Sequence, residues 1–295
     1  MNNKILFSVF GLLIGASVSS QNLLESLSKE QDKEPFKDEV FGTFFGSRIN
    51  LSHSVETREQ GVLEVSLQNR FWNIPSDQLS FDVDKINVRL EASYAFTDKF
   101  TIGVGYGTGY DSFDAFFKYS ILKQKMEKGS PFSITLLQSI AHRQKNPGIT
   151  RPLDFDERIG LTSQVLIARK LSRNFSLQLM PTFTNRAADS FLPETPQSSR
   201  FSLGFGGRYR IAKHFSLTAE YYEIFNRIDS PQTYSPFSFG ANWEIADVLL
   251  QFNVTNARNL VEDKFIAKSL QPFVLKDGDL HVGFNFVYLF HTREK

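Results

Sequence analysis

The chain has 295 residues, 33 of them basic and 32 acidic, a net charge of +1, and no cysteine. Balanced charge gives no reason to expect nucleic acid or another polyanion as partner. The missing thiol excludes both a disulfide framework and a lipid-modified amino-terminal cysteine. Aromatic content is 14%, with 30 phenylalanines against two tryptophans, yet mean hydropathy is only −0.24, which fits strands that are greasy on one face and wet on the other.

Residues 1–20 read as a secretory signal peptide, with Lys4, an apolar run from Ile5 to Ala16, small residues at Ala16, Ser17, Ser19 and Ser20, and cleavage before Gln21. The run falls well short of the roughly 20 residues that a spanning helix needs. Residues 21–40 are charged and poor in apolar side chains, which predicts a periplasmic arm. Residues 41–59 have strand character, but a further strand would break the parity described below. They are expected inside the barrel mouth or along its periplasmic rim.

From residue 60 onward the period is two, the period of a strand. Leu63, Val65, Leu67 and Phe71 oppose Glu64, Ser66, Gln68 and Arg70, and Phe201, Leu203, Phe205 and Tyr209 oppose Ser202, Gly204, Gly206 and Arg208. Twelve such segments are predicted, at Gln60 to Trp72, Lys85 to Phe96, Phe100 to Gly109, Asp114 to Leu122, Phe132 to Ala141, Glu157 to Lys170, Phe175 to Asn185, Arg200 to Ile211, Phe215 to Ile224, Ser235 to Glu244, Val248 to Asn256 and Leu280 to Phe290. The fourth and fifth alternate least cleanly. The fold class is therefore all-β, a transmembrane antiparallel β-barrel of about 12 strands in an up-and-down meander over residues 60–290, with a periplasmic tail at 291–295.

Connection lengths agree. Short turns at Thr97-Asp98-Lys99, Leu171 to Asn174, Ala212-Lys213-His214 and Ile245-Ala246-Asp247 follow even strands, and long connections follow odd ones. Two links break the rule, the short Tyr110 to Phe113 and the long Lys123 to Pro131, both beside the fourth strand. An even strand count puts both ends on one side, as export predicts for a protein set in the lipid of a Gram-negative outer membrane. The last strand resembles the carboxyl-terminal strand read by the barrel-assembly machinery, on His281, Gly283, Phe286, Tyr288 and the closing aromatic Phe290. That resemblance implies the machinery as a partner. The tail is a departure, since most such proteins end on the aromatic.

Short pieces of the chain are similar to a family of outer-membrane β-barrels of unknown function that is widespread in the Bacteroidota. They are Arg48-Ile49-Asn50, Ser54-Val55-Glu56, Arg70-Phe71, Lys118-Tyr119, Leu166 to Lys170, Gly204 to Tyr209, Glu220-Tyr221-Tyr222, Thr255 to Arg258 and Gly283-Phe284-Asn285. The resemblance implies the fold and no activity. Where the family pattern carries histidines, Asn69 and the stretch Glu244 to Asp247 stand instead.

Ten charged residues are predicted to face the lumen: Glu64, Arg70, Arg89, Glu91, Lys118, Arg158, Arg208, Arg210, Glu220 and Glu244. Charges inside a narrow barrel must be paired or hydrated, so they either form a salt-bridged filling or line a permeation path with mild anion preference. The function read from this is a porin-like passive channel for small solutes, with a sealed structural or docking barrel that carries an envelope protein partner as the alternative. No catalytic residue is predicted: Ser139 and His142 are three apart and so on opposite strand faces. No cofactor or metal is called for. Asp154, Asp156 and Glu157, and Glu262 and Asp263, could hold Ca²⁺, but read more simply as solvated loop charge.

Overall fold

The computed structural model describes residues 39–73, 86–109, 111–126, 129–144, 152–186, 198–225, 233–266, 269 and 280–292. The expected signal peptide, the expected arm up to residue 38, much of the long connections and residues 293–295 lie outside the described residues.

Twelve strands form one closed barrel: β1 (Val62–Asn73), β2 (Asn87–Thr97), β3 (Phe100–Gly107), β4 (Ser112–Leu122), β5 (Ser133–Arg143), β6 (Ile159–Lys170), β7 (Phe175–Arg186), β8 (Ser198–Ala212), β9 (Phe215–Ile224), β10 (Phe237–Ile245), β11 (Val248–Thr255) and β12 (His281–His291). Each is antiparallel to the next, and β12 closes on β1 from Val62↔His291 to Asn73↔His281, so no edge is left to pair elsewhere. Boundaries move from the sequence expectation by a residue or two. Both irregular links around β4 are present: residues 108–111 join β3 to β4, and residues 123–132 join β4 to β5.

Burial is inverted relative to a water-soluble core. Leu90, Val104, Phe201, Tyr209 and Phe252 are each more than half exposed on the outer wall, while Gln68, Arg89, Glu91, Asn242 and Gln251 are buried on the inner one. Such an arrangement is stable only where hydrocarbon meets the outer face. No described helix is long and apolar enough to cross a membrane.

The register slips at three strand ends beside turns, Ala95/Thr97, Ser120/Leu122 and Arg210/Ala212. Between β6 and β7 the ladder skips Val165 and Leu166, opposite Met180 and Pro181, because proline has no N–H to donate.

Among the described residues, two elements occupy the interior. One is a tight hairpin entered from the end of the barrel that carries the short turns, called here the turn end. Ile49 N–H donates to Ser52 O at 2.9 Å, Ser54 N–H donates to Ser47 O at 2.8 Å, and Arg48 bridges His53. Gly42 and Gly61, at φ +66° and +86°, flank it where the chain turns into and out of the barrel. The other element, α1 (Glu262–Phe265), descends from the opposite, loop end, and all four of its residues are buried.

Candidate functional site

The hairpin is bound to the wall on every side. Glu220 on β9 accepts from the backbone N–H of Leu51 at 2.7 Å and of Ser52 at 3.1 Å. Gln178 on β7 accepts from Val55 N–H at 2.7 Å and donates to His53 O at 2.9 Å, and Thr135 on β5 donates to Val55 O at 2.7 Å. Across the lumen, Gln251 on β11 donates to Ile49 O at 2.7 Å, and Asn285 on β12 donates to Asn50 O at 3.2 Å. A hairpin tip this short cannot satisfy its own backbone, so the wall does.

Charge joins the two inserted elements. Arg48 of the hairpin donates to Glu262 of α1 at 2.6 Å and to Glu91 of β2 at 2.9 and 3.1 Å. Glu91 is shared with Arg89, which also holds Asp114, and Arg143 holds Asp263. Glu262 and Asp263 are thus buried ion-pair partners within the barrel, which corrects the expectation of solvated loop charge.

Apolar contact anchors one side. Phe44, Ile49, Leu51 and Val55 pack with Phe116, Leu137, Leu166, Ala168, Met180 and Tyr222 of β4, β5, β6, β7 and β9, and with Phe265 of α1 and Ile266 just after it. The His53 and Phe116 rings lie 4.5 Å apart. Close approach of hairpin to wall uses glycine: a Cβ on Gly206 would stand 2.5 Å from Ile49 Cδ1, and one on Gly240 would stand 2.4 Å from Asn50 Oδ1.

Of the ten charges read from the sequence, Glu64, Arg70, Arg89, Glu91, Lys118, Arg208 and Glu220 are buried on the inner wall, and Arg210 and Glu244 are half-buried near the turn end. Glu64 pairs with Arg58 and Ser47, Arg70 donates to Asn285 Oδ1, and Lys118 donates to the carbonyls of Ser47 and Glu56. Arg158 is a correction. It lies in a 3-10 turn (Asp156–Arg158) ahead of β6 and donates to Leu153 O and Gln144 O, because β6 begins only at Ile159. Arg48, Asp114 and Arg143 belong to the charge network and were not among the ten. Ser139 faces inward, whereas His142 stacks on Phe155. In β12, Gly283 packs under Arg70, while Phe286 and Phe290 are exposed on the outer wall. At the turn end, burial and the nearby Lys213 and Arg210 cations lower the His214 imidazole below its usual range.

A family model described as a membrane-bound β-barrel domain, DUF5777, matches residues 44–290, from the hairpin to the end of the last strand. The chain belongs to this family. The DUF5777 domain therefore includes the hairpin as well as the wall. No curated protein matches the chain. Among solved structures, the NanC porin is similar at 8% identity and TM-score 0.47, over 78% of this chain and 100% of that one. The KdgM porin is similar at 12% identity and TM-score 0.45, over 78% and 99%. An outer membrane channel from Pseudomonas putida F1 is similar at 13% identity and TM-score 0.47, over 87% and 99%.

Proposed function

We propose that the protein is a channel for small solutes in the outer membrane of a Gram-negative bacterium, closed at rest by its own hairpin. The observation that carries the reading is the division of the lumen into two unlike halves. From β11 through β12 to β2, the inner wall presents Gln251, Asn253, Asn285, Glu64, Gln68, Arg70, Arg89 and Glu91. It meets the hairpin through hydrogen bonds and ion pairs that water can replace. A void of about 10 Å³ lies on this side, beside Ser47, Arg48 and Glu64, about the size of one water. On the opposite half, the hydrogen bonds from Glu220, Gln178 and Thr135 are joined by apolar packing of Phe44, Ile49, Leu51 and Val55. A shift of the hairpin toward that anchored side opens a hydrated slit along the polar one. In this reading the short turns face the periplasm, lipid covers the outer wall, and the barrel-assembly machinery reads β12.

A sealed barrel that carries an envelope protein partner is the second reading. The apolar anchor is the observation on its side: Phe44, Ile49, Leu51 and Val55 are each no more than 4% exposed, and burial of such a side chain is worth about 1.5–3 kcal/mol.

A reversible lock separates the two. The chain has no cysteine of its own. A Cβ at Gly240 would lie 2.9 Å from Asn50 Cγ, within disulfide reach of the Asn50 Cβ, and 2.8 Å from Phe252 O, so β10 must shift slightly against β11 to take it. The double variant Asn50→Cys, Gly240→Cys is expected to conduct in planar bilayers when reduced, to fall silent when oxidised, and to favour anions in reversal potential. Folded protein that is silent when reduced, as is the parent, overturns the channel reading in favour of the sealed barrel. Equal conductance in both redox states removes the hairpin as the gate.

A further inference from the structure

The channel reading leaves the class of solute open. We propose that the turn end of the lumen holds a binding site for a small oxyanion, a carboxylate or a phosphate, built by Arg208, Arg210 and Lys170 around Ser176 and Ser216. The inference deepens the channel reading, and the solute's role as cargo rests on it. The binding itself does not.

The wall register brings these groups together. Lys170 pairs with Ser176 and Ser176 with Arg208, which sets the three side by side on the inner faces of β6, β7 and β8. Arg210 pairs with Ser216 one inward position closer to the turns. Two small serines thus stand between three long cations.

The cations are engaged, but not by carboxylates. Arg208 Nη1 donates to Gly42 O at 2.8 Å and to Thr43 O at 3.1 Å, and its guanidinium lies 3.5 Å from the centre of the Phe45 ring. Arg210 lies 5.3 Å from the same ring, and Lys170 Nζ donates to Phe41 O at 2.9 Å. Among the described residues none of the three has a carboxylate oxygen within ion-pair distance.

Arg208 is only 3% exposed, and its Nε and Nη2, together with Arg210 Nε and Ser216 Oγ, are buried without a hydrogen-bond partner among the described residues. Such donors are costly to bury unmet. Nε and Nη2 form the side-on edge of the guanidinium, the geometry that takes two oxygens of one carboxylate or phosphate. Stacking on Phe45 fixes the plane in which that edge is offered.

Water could meet the same donors, but the local charge favours an anion. Two carboxylates face the cluster. Glu56 already accepts from Thr43 N–H and Phe44 N–H, and Glu244 stands on β10 with its own Oε1 unpartnered. Three cations against these two leave an excess of positive charge beside the neck of the hairpin.

The test is titration calorimetry of the folded, mature full chain in micelles, with orthophosphate as probe and chloride at matched ionic strength as reference. A second series uses acetate, and a third adds phosphatidylglycerol to the micelle. Saturable phosphate binding is expected, weakened at least tenfold by Arg210→Gln and by Arg208→Lys, with acetate competing. Competition by phosphatidylglycerol assigns the oxyanion to lipid headgroups, and no competition assigns it to a soluble solute; either supports the site. Phosphate that behaves as chloride does shows the donors to be hydrated only and overturns the proposal, as does unchanged binding in both variants. Binding retained by a protein that is silent in bilayers would sink the channel reading and leave the site standing.

Discussion

The contact between Arg48 and Glu262 ties a hairpin inserted from one end of the barrel to a helix inserted from the other, and it is the place where removing one side chain should loosen the interior most. Arg48 is 4% exposed and makes four polar contacts, to Glu262 at 2.6 Å, to Glu91 at 2.9 and 3.1 Å, and to Leu51 O at 2.8 Å. In Arg48→Ala, Glu91 keeps Arg89, whereas Glu262 keeps, among the described residues, only His53 Nε2, at 3.3 Å. Leaving a buried charge without its partner costs about 3–5 kcal/mol, which is roughly a hundredfold to several-thousandfold in an opening equilibrium. Val55, 4% exposed, can be replaced by cysteine in a chain that has no other thiol, and its rate of alkylation then reports hairpin opening. Arg48→Ala should speed that labelling at least a hundredfold. Glu262→Ala should speed it by less, because Glu91 still holds the arginine. The double variant should fall short of the product of the two by tenfold or more, since neither charge is then stranded. Labelling of Arg48→Ala within threefold of the parent, or strict multiplicativity of the two changes, would refute the coupling.

Other substitutions probe the wall and its filling. Tyr222→Phe removes the hydroxyl that meets Ser52 Oγ at 2.7 Å and Gln164 Nε2 at 3.1 Å, and should cost about 1–3 kcal/mol in urea unfolding because those partners stay buried. Gly206→Leu drives a side chain into Ile49 and should cost about 1–3 kcal/mol by overpacking, with faster labelling at position 55. Phe252→Arg, on the outer wall of β11, should cost about 2–4 kcal/mol when the barrel folds into lipid vesicles. Ala246 holds φ +51° in the link between β10 and β11, so Ala246→Gly should stabilise by about 1 kcal/mol in the same assay.

The wall was legible in the sequence because a two-residue period survives wherever one face meets lipid and the other meets polar groups. Leu63 to Phe71 and Phe201 to Tyr209 show it cleanly. The period blurs at Phe116-Phe117, Leu136-Leu137 and Tyr221-Tyr222, where both faces are apolar. Phe116, Leu137 and Tyr222 prove to be the inner members of these pairs and form the anchor for the hairpin. The irregular strands thus marked the filled side of the lumen, a signal of burial on two faces. The course of residues 43–55 through the interior was not legible, because hydrogen bonds from Glu220, Gln178 and Gln251 to a backbone leave no periodic trace. The burial of Glu262 and Asp263 was hidden for a similar reason: a four-residue helix is too short to show a face, and its partner Arg48 lies more than 200 positions away.

Hydrogen exchange of the hairpin amides in the folded protein tests the account most directly. The N–H groups of Ile49, Leu51, Ser52, Ser54 and Val55 all donate inside the barrel, so a peptide spanning them should exchange as slowly as peptides of β9 and β11. Complete exchange of that peptide within seconds, while the wall strands stay protected, would mean that the hairpin does not fill the lumen.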